Sequence, residues 1–391
     1  MPRAGFHNQA FKALPNAQMK TIVLKVEADN QRTNAIKEAA RCLAEGGLVV
    51  FPTETVYGVG ANAANPAALA RLRAVKERQE TKPFTVHIGS RSAVNRFVPD
   101  LSGVGRRLTE KAWPGPLTVI FHVSDVTAAP ILRENAFPSA DSLYHDGTIG
   151  IRCPDDPIAL DLLTAAGVPV VAASANPASR PAPVTAEEAL ATLDGKVDMV
   201  LDAGRTRYAK ASTIVEVRPN SFQIIRDGVL DERIIRKLMQ VTFLVVCSGN
   251  TCRSPMAEGI LRKLVAEKLG VAEKELPGHG YNVESAGVSA AGGLCATPAA
   301  VRALASRGID ISRHKSQPLT LELVHRADYI FAMTDSHVRA IRQMAPQVRN
   351  RVRKIAQQDI EDPIGESDEV YIQVATQIEE ALRERLEEVT L

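Results

Sequence analysis

The stretch VVCSGNTCRSPMAEGI, from Val245 to Ile260, joins an apolar run to a helical pattern. TFLVV, from Thr242 to Val246, reads as a strand. PMAEGILRKLVAEKLG reads as a helix with Ile260, Leu261, Leu264 and Val265 on one face. Strand, tight loop and helix in that order open a βα unit, and in open α/β sheets ligands bind beyond the carboxyl ends of strands. Cys247 to Arg253 occupy that position. Ser254 is expected to cap the helix, with Pro255 at its first position. Such a loop aims several backbone N–H groups at one point and favours an anion. Arg253 adds a planar fork that matches phosphate oxygens. Cys247, at the base of that cradle, is placed as a thiolate nucleophile for phosphoryl transfer. A lone cysteine at a strand end is more often a packed core residue; the whole string carries the functional reading.

Downstream the alternation continues. YNVES, DYIFAM and RVRKIA read as strands. TPAAVRALASRG (Thr297 as N-cap, Pro298 at N1, Gly308 past the end), SHVRAIRQM and DEVYIQVATQIEEALRERLEE read as helices. Repeated βα units predict a doubly wound parallel sheet over 241–391. Upstream the texture differs. TIVLKV, GGLVVFP, FTVHI, LTVIFHV, TIGIRCP, VPVVAAS, DMVLDAG and STIVEV read as strands, with helices in NAIKEAARCLAEGG and PAALARLRAVKERQ. Many strands with few helices predict an α/β domain on a mixed twisted sheet over 19–230. Val123 to Thr148 shows no period and reads as a long surface loop. DERIIRKLMQ, 231–240, reads as a short helical connector, and residues 1–18 as a poorly ordered tail.

Two domains suit a chain of 391 residues. A formal net charge of +2 gives no overall field toward nucleic acid or membrane, so local clusters must carry any such case. There is no apolar run long enough for a membrane span and no secretory pattern at the start. Five scattered cysteines make no disulfide framework and point to the cytoplasm, and no His/Cys cluster offers a metal site.

In the first domain FPTETVYGVGANA (51–63) is followed by KERQETKPFTVHI, WPGPLTVIF, TIGIRCPDDP, VVAASANPASRPAP, DAGRTRYAKASTIVEV and IIRDG. Single cations stand near strand ends and turns: Lys76, Arg78, Lys82, Arg152 and Arg226. Alone, each is an ordinary surface cation; converging, they would suit a triphosphate. The order and wording of these segments resemble the YrdC-like threonylcarbamoyl-AMP synthase family from about Ala35 to Gly228. The resemblance implies synthesis of threonylcarbamoyl-adenylate from threonine, bicarbonate and ATP, with Mg²⁺ on the phosphates. It also implies a downstream tRNA-modification machinery that uses the adenylate. Carried over residue by residue, Thr55, His87, Arg152, Ala172 and Ser212 would line the threonine site. Arg78, Lys82, Thr148, Ser174, Asn176 and Arg226, with Lys76, would hold ATP. The chain departs from the family at Ala178 and Ser179, at Asp156 where a histidine is common, and at Val184. The rival reading is an RNA-binding module without synthase activity, disfavoured by the scarcity of aromatics for base stacking.

CSGNTCRSPMAE resembles the C-x5-R loop of the low-molecular-weight protein-tyrosine phosphatase family, from Thr242 onward. The resemblance implies Cys247 as nucleophile, Arg253 on the phosphate, and Asp362 of DIEDPIG as general acid, with no cofactor. Ser248, Gly249, Asn250, Thr251, Cys252 and Ser254 complete the loop. Asn250 and Ser254 would orient it, and Ser285–Gly287 would serve structurally. Asp359 and Glu361 read as loop charges. Cys252 either packs as a small residue or pairs reversibly with Cys247. Thr251 resembles the protein-arginine phosphatase branch, and Pro363-Ile364-Gly365 offers no aromatic wall, so phosphorylated proteins bearing phosphoarginine are favoured over phosphotyrosine. Arsenate reduction would need a further cysteine pair, and only Cys295 follows the loop.

Overall fold

The computed structural model describes residues 20–26, 29–77, 83–134, 137, 140–178, 180–218 and 221–389. The expected tail at 1–18, and Arg78 and Lys82, lie outside the described residues. The chain divides into two compact units between Ile234 and Ile235, within a helix Glu232–Met239.

The first unit is built on a mixed sheet. Its described strands are β1 (Ile22–Lys25), β2 (Val49–Phe51), β3 (Gly58–Asn62), β4 (Thr85–His87), β5 (Leu117–His122), β6 (Thr148–Arg152), β7 (Val170–Ser174), β8 (Met199–Asp202), β9 (Thr213–Arg218) and β10 (Ser221–Arg226). They lie in the order β1-β8-β2-β3-β7-β4-β6-β5-β9-β10. β4 runs parallel to β6, while β7 is antiparallel to both β3 and β4. Two strands escape the sequence reading. β10 returns as a hairpin on β9. β3 is glycine-rich, and Gly60 explains why: a Cβ there would lie 2.9 Å from the Phe51 ring and 3.2 Å from Val170. Phe51 fills that space and packs with Leu43, Leu162, Val170 and Leu201.

The segment from Val123 to Thr148 corrects the expectation of a long irregular loop. It holds a helix, Pro130–Glu134, and short 3-10 turns at Val126–Ala128 and Ala140–Ser142. Ile131, Leu143 and Tyr144 are buried, and the Tyr144 hydroxyl donates to Phe97 O at 2.7 Å. Anchors separated by irregular stretches carry no period, so the pattern was invisible.

The second unit has four parallel strands in the order β12-β11-β13-β14: β11 (Val241–Cys247), β12 (Tyr281–Gly287), β13 (Tyr329–Ala332) and β14 (Val352–Lys354). β11 is buried along its whole length, so it reads as a continuous apolar run. Its alternate residues serve opposite faces. Phe243, Val245 and Cys247 join the core under helices Arg253–Leu269 and Asp368–Glu387. Leu244 and Val246 join a second core with Val324, Val338 and Ile341. Among the described residues no helix is long and apolar enough to cross a membrane.

Candidate active sites

The loop after β11 is held by its own side chains. The helix begins two residues earlier than the sequence suggests: Cys252 is its N-cap residue and Arg253 its first. Ser254 and Pro255 are therefore inside the first turn, which corrects their expected places. Ser254 Oγ is free of capping and lies 3.0 Å from Cys247 Sγ. Asn250 takes a left-handed conformation, φ 54°, which asparagine tolerates better than most residues. Its N–H donates to Cys247 Sγ at 3.2 Å, and its Nδ2 donates to Ser254 Oγ at 2.8 Å and Ser285 Oγ at 2.9 Å. Its Oδ1 accepts from Gln317 N at 2.8 Å, and its carbonyl accepts from His314 Nε2 at 2.8 Å. Gly287 lets the end of β12 pass beneath: a Cβ there would lie 2.4 Å from Ser248 O and 2.9 Å from Asn250 N. This gives the Ser285–Gly287 string a steric reason.

Arg253 is buried. Its Nη1 donates to Ile360 O at 2.8 Å and its Nη2 reaches Ser248 Oγ at 3.3 Å and pairs with Asp362. Arg253 Nε is buried with no protein partner. Cys247, Ser248, Gly249, Thr251, Cys252, Arg253, Ser289, Asp362 and Ile364 line one cavity of about 240 Å³. Cys252 packs at its wall, with Sγ 3.4 Å from the Tyr371 hydroxyl. Burial, and then this thiol, push the Tyr371 pKa up to about 12. Thr297 holds the N-cap position of its helix without capping it; its hydroxyl turns to Cys252 Sγ at 3.6 Å. Asp359 is tied to Lys354 at 2.9 Å, and Glu361 is exposed.

A cavity of about 360 Å³ opens in the first unit, and Lys76, His87, Arg152, Ala172, Ser174, Asn176, Ser212 and Arg226 all line it. Positions as far apart as 76 and 226 thus meet. Lys76 Nζ donates to Ser174 O at 2.6 Å and to the Asn176 carbonyl. Arg226 Nη2 donates to Ser212 O at 2.7 Å. Burial, and then the nearby Arg152 charge, lower the Arg226 pKa from its ordinary value. His87 is buried between Phe51 and Arg152, and burial first, then Arg152, lower its pKa to about 3. Its Nδ1 lies 3.1 Å from Thr85 O. A carbonyl only accepts, so Nδ1 carries the proton and Nε2 keeps its lone pair.

Two expected residues stand elsewhere. Thr55 is buried behind the cavity, with its hydroxyl 2.7 Å from Arg152 Nη2. Thr148 lies at the far end of β6, where its hydroxyl donates to His145 O at 2.7 Å. Four residue steps along the strand separate it from Arg152, roughly 13 Å. Sequence reasoning missed Glu54. It is fully buried, with Oε1 2.9 Å from Arg152 Nη2 and Oε2 accepting from Asp155 N at 3.0 Å. Arg152 Nε remains buried without a protein partner. Arg180 and Thr118 also line the cavity.

A family model described as telomere recombination (Sua5, YciO, YrdC) matches residues 41–228, and one described as low molecular weight phosphotyrosine protein phosphatase matches residues 242–390. The threonylcarbamoyl-AMP synthase of Bacillus subtilis is 32% identical over 204 residues, 52% of this chain and 56% of that protein. A Mycobacterium tuberculosis relative, named provisionally for the same synthase, is 35% identical over 209 residues, 53% of this chain and 91% of its own length. The protein-arginine-phosphatase of Bacillus subtilis is 40% identical over 147 residues, 36% of this chain and 91% of that protein. The chain belongs to both families. It spans a little over half the length of the Bacillus subtilis synthase it matches. Within the synthase-family half, Glu54 and Arg180 both stand inside strings that carried the resemblance. A search for clustered cations passes over a carboxylate, which is why Glu54 was missed. Within the phosphatase-family half, the sequence marks His337 only as part of a helix. Its Nε2 lies 3.0 Å from Ser248 Oγ, and no motif in the sequence marks it.

Proposed function

We propose that the first unit makes L-threonylcarbamoyladenylate from threonine, bicarbonate and ATP, and that the second is a cysteine-dependent protein phosphatase that prefers phosphoarginine to phosphotyrosine. For the second unit the carrying observation is the meeting of Cys247, Arg253 and Asp362 on one cavity. The Cys247 thiolate attacks phosphorus and the bond to the substrate nitrogen breaks. Asp362 gives its proton to that nitrogen. It then takes a proton from the water that hydrolyses the phosphocysteine, which releases phosphate and restores the thiolate. Arg253 and the loop N–H groups hold the three equatorial oxygens, where charge gathers in the transition state. The walls above them are Thr251, Ser289 and Ile364. Two hydroxyls there can accept from a guanidinium, whereas a phenyl ring has no N–H to offer them.

For the first unit the carrying observation is one cavity where Lys76, Arg152, Arg180 and Arg226 meet hydroxyls and amides. Adenylate transfer expels pyrophosphate, so the site must neutralise a triphosphate and keep water from a labile carbamate. The lining supplies cations and neutral groups, so Mg²⁺ enters as part of the nucleotide. Arg152, with Nε unclaimed, is the partner for the threonine carboxylate. The adenylate passes to a tRNA-modification machinery, and the compartment is the cytoplasm. The wild-type chain should release pyrophosphate from ATP only with threonine and bicarbonate present, and should hydrolyse a phosphoarginine peptide faster than its phosphotyrosine counterpart. No threonine dependence would defeat the first reading, and a phosphotyrosine preference the substrate assignment of the second.

A further inference from the structure

Arg253 must keep its place while Asp362, its ion-pair partner, serves the leaving group. Apart from Asp362, it donates to Ile360 O at 2.8 Å and to Ser248 Oγ at 3.3 Å. The second is a hydroxyl, whose lone pairs face wherever its proton does not. Behind it stands His337, 4% exposed, at the third position of helix Asp335–Met344. His337 Nε2 is 3.0 Å from Ser248 Oγ, and its Nδ1 is 2.8 Å from Thr334 Oγ1.

We propose that His337 is a positioning residue for phosphate binding: by accepting the Ser248 O–H hydrogen bond at Nε2, it turns a Ser248 lone pair toward Arg253 and holds the guanidinium across the loop. The proposal rests on the phosphatase reading of this cavity. With His337 in the Nδ1–H tautomer the chain of donors runs one way. Arg253 Nη2 donates to Ser248 Oγ, Ser248 donates to His337 Nε2, and His337 Nδ1–H donates to Thr334 Oγ1. Thr334 also accepts from the His337 backbone N–H at 3.3 Å as the helix N-cap, so the hydroxyl that meets the imidazole is itself fixed at the helix start. The neutral imidazole fits this arrangement. Burial, and then Arg253, lower the His337 pKa, and the carboxylates of Asp362 and Asp359 oppose them only in part. A neutral ring with Nδ1–H has an Nε2 lone pair and nothing to donate there.

The test uses the full chain and hydrolysis of p-nitrophenyl phosphate, with inorganic phosphate as competitive inhibitor, so that only the phosphatase site is read. His337→Ala and Ser248→Ala should each raise the phosphate inhibition constant roughly tenfold, the equivalent of one hydrogen bond. The double variant should be no worse than either single one, because both break the same link. His337→Gln, whose amide oxygen can accept the Ser248 hydrogen bond, should recover most of the loss. Additive effects, or an unchanged inhibition constant in Ser248→Ala, would overturn the proposal while leaving the phosphatase reading intact. Absence of hydrolysis by the wild-type chain would end that reading, and this inference with it.

Discussion

Ser254 is a helix cap or a thiol partner according to where its helix starts. Because the helix begins at Arg253, the Ser254 hydroxyl is released to Cys247 Sγ. No propensity marks that shift of two positions, since serine and proline both suit the start of a helix. Asn250 is legible as a loop residue, but its full role needs the partners Ser285, Gln317 and His314 brought from distant positions. Two predictions belong at this scale. Asp362→Asn removes the group that donates and later accepts the proton, and should slow turnover of phosphoarginine peptide by ~10²–10⁴-fold, read as kcat in steady-state assays. Thr251→Ile replaces a hydroxyl on the cavity wall with an apolar branch. The ratio of kcat/KM for phosphoarginine over phosphotyrosine peptides should fall; an unchanged ratio would remove Thr251 from the specificity account.

At the scale of elements, β4 and β6 run parallel and put His87 opposite Arg152. The strands themselves were legible from alternation, and so was the cation at the end of β6. What no strand pattern reveals is that Glu54, from the turn between β2 and β3, is buried against that cation. The pair changes what a mutation does. Arg152→Ala leaves a carboxylate buried without its partner, so it should cost about 3–5 kcal/mol of stability in the first unit as well as raising the threonine KM. Chemical denaturation checks the first effect. Arg152→Ala with Glu54→Gln should recover stability but not threonine affinity. His87 sets a pH dependence. Its folded pKa of about 3 lies below the ordinary value near ~6.5. Between those values the unfolded chain binds a proton that the folded unit does not, so stability falls as pH drops through ~6.5 toward 3. Thermal melts at pH 7 and pH 4.5 should show this loss, with a smaller loss in His87→Gln. Asp156, where the synthase family often has histidine, caps helix Pro157–Ala165 by accepting from Ile158 N and Ala159 N at 3.0 Å each. That departure therefore has a local structural use.

At the scale of the whole molecule, each unit has its own sheet and its own buried core. The two architectures were legible because their rhythms differ: regular βα alternation downstream, crowded strands upstream. The strand order of the first sheet was not, since pairings such as β1 with β8 join positions nearly 180 residues apart. Separate cores predict separable halves. Chains cut within 231–240 should each be soluble and show cooperative melts by circular dichroism; an unfolded half would mean that the units depend on each other. Separate cores also predict separate chemistry. The most direct measurement is threonine-dependent pyrophosphate release by the full-length Cys247→Ser chain, assayed beside its hydrolysis of phosphoarginine peptide. The two-site account predicts release at the wild-type rate with hydrolysis abolished. Loss of pyrophosphate release, or hydrolysis persisting without the thiol, would contradict it.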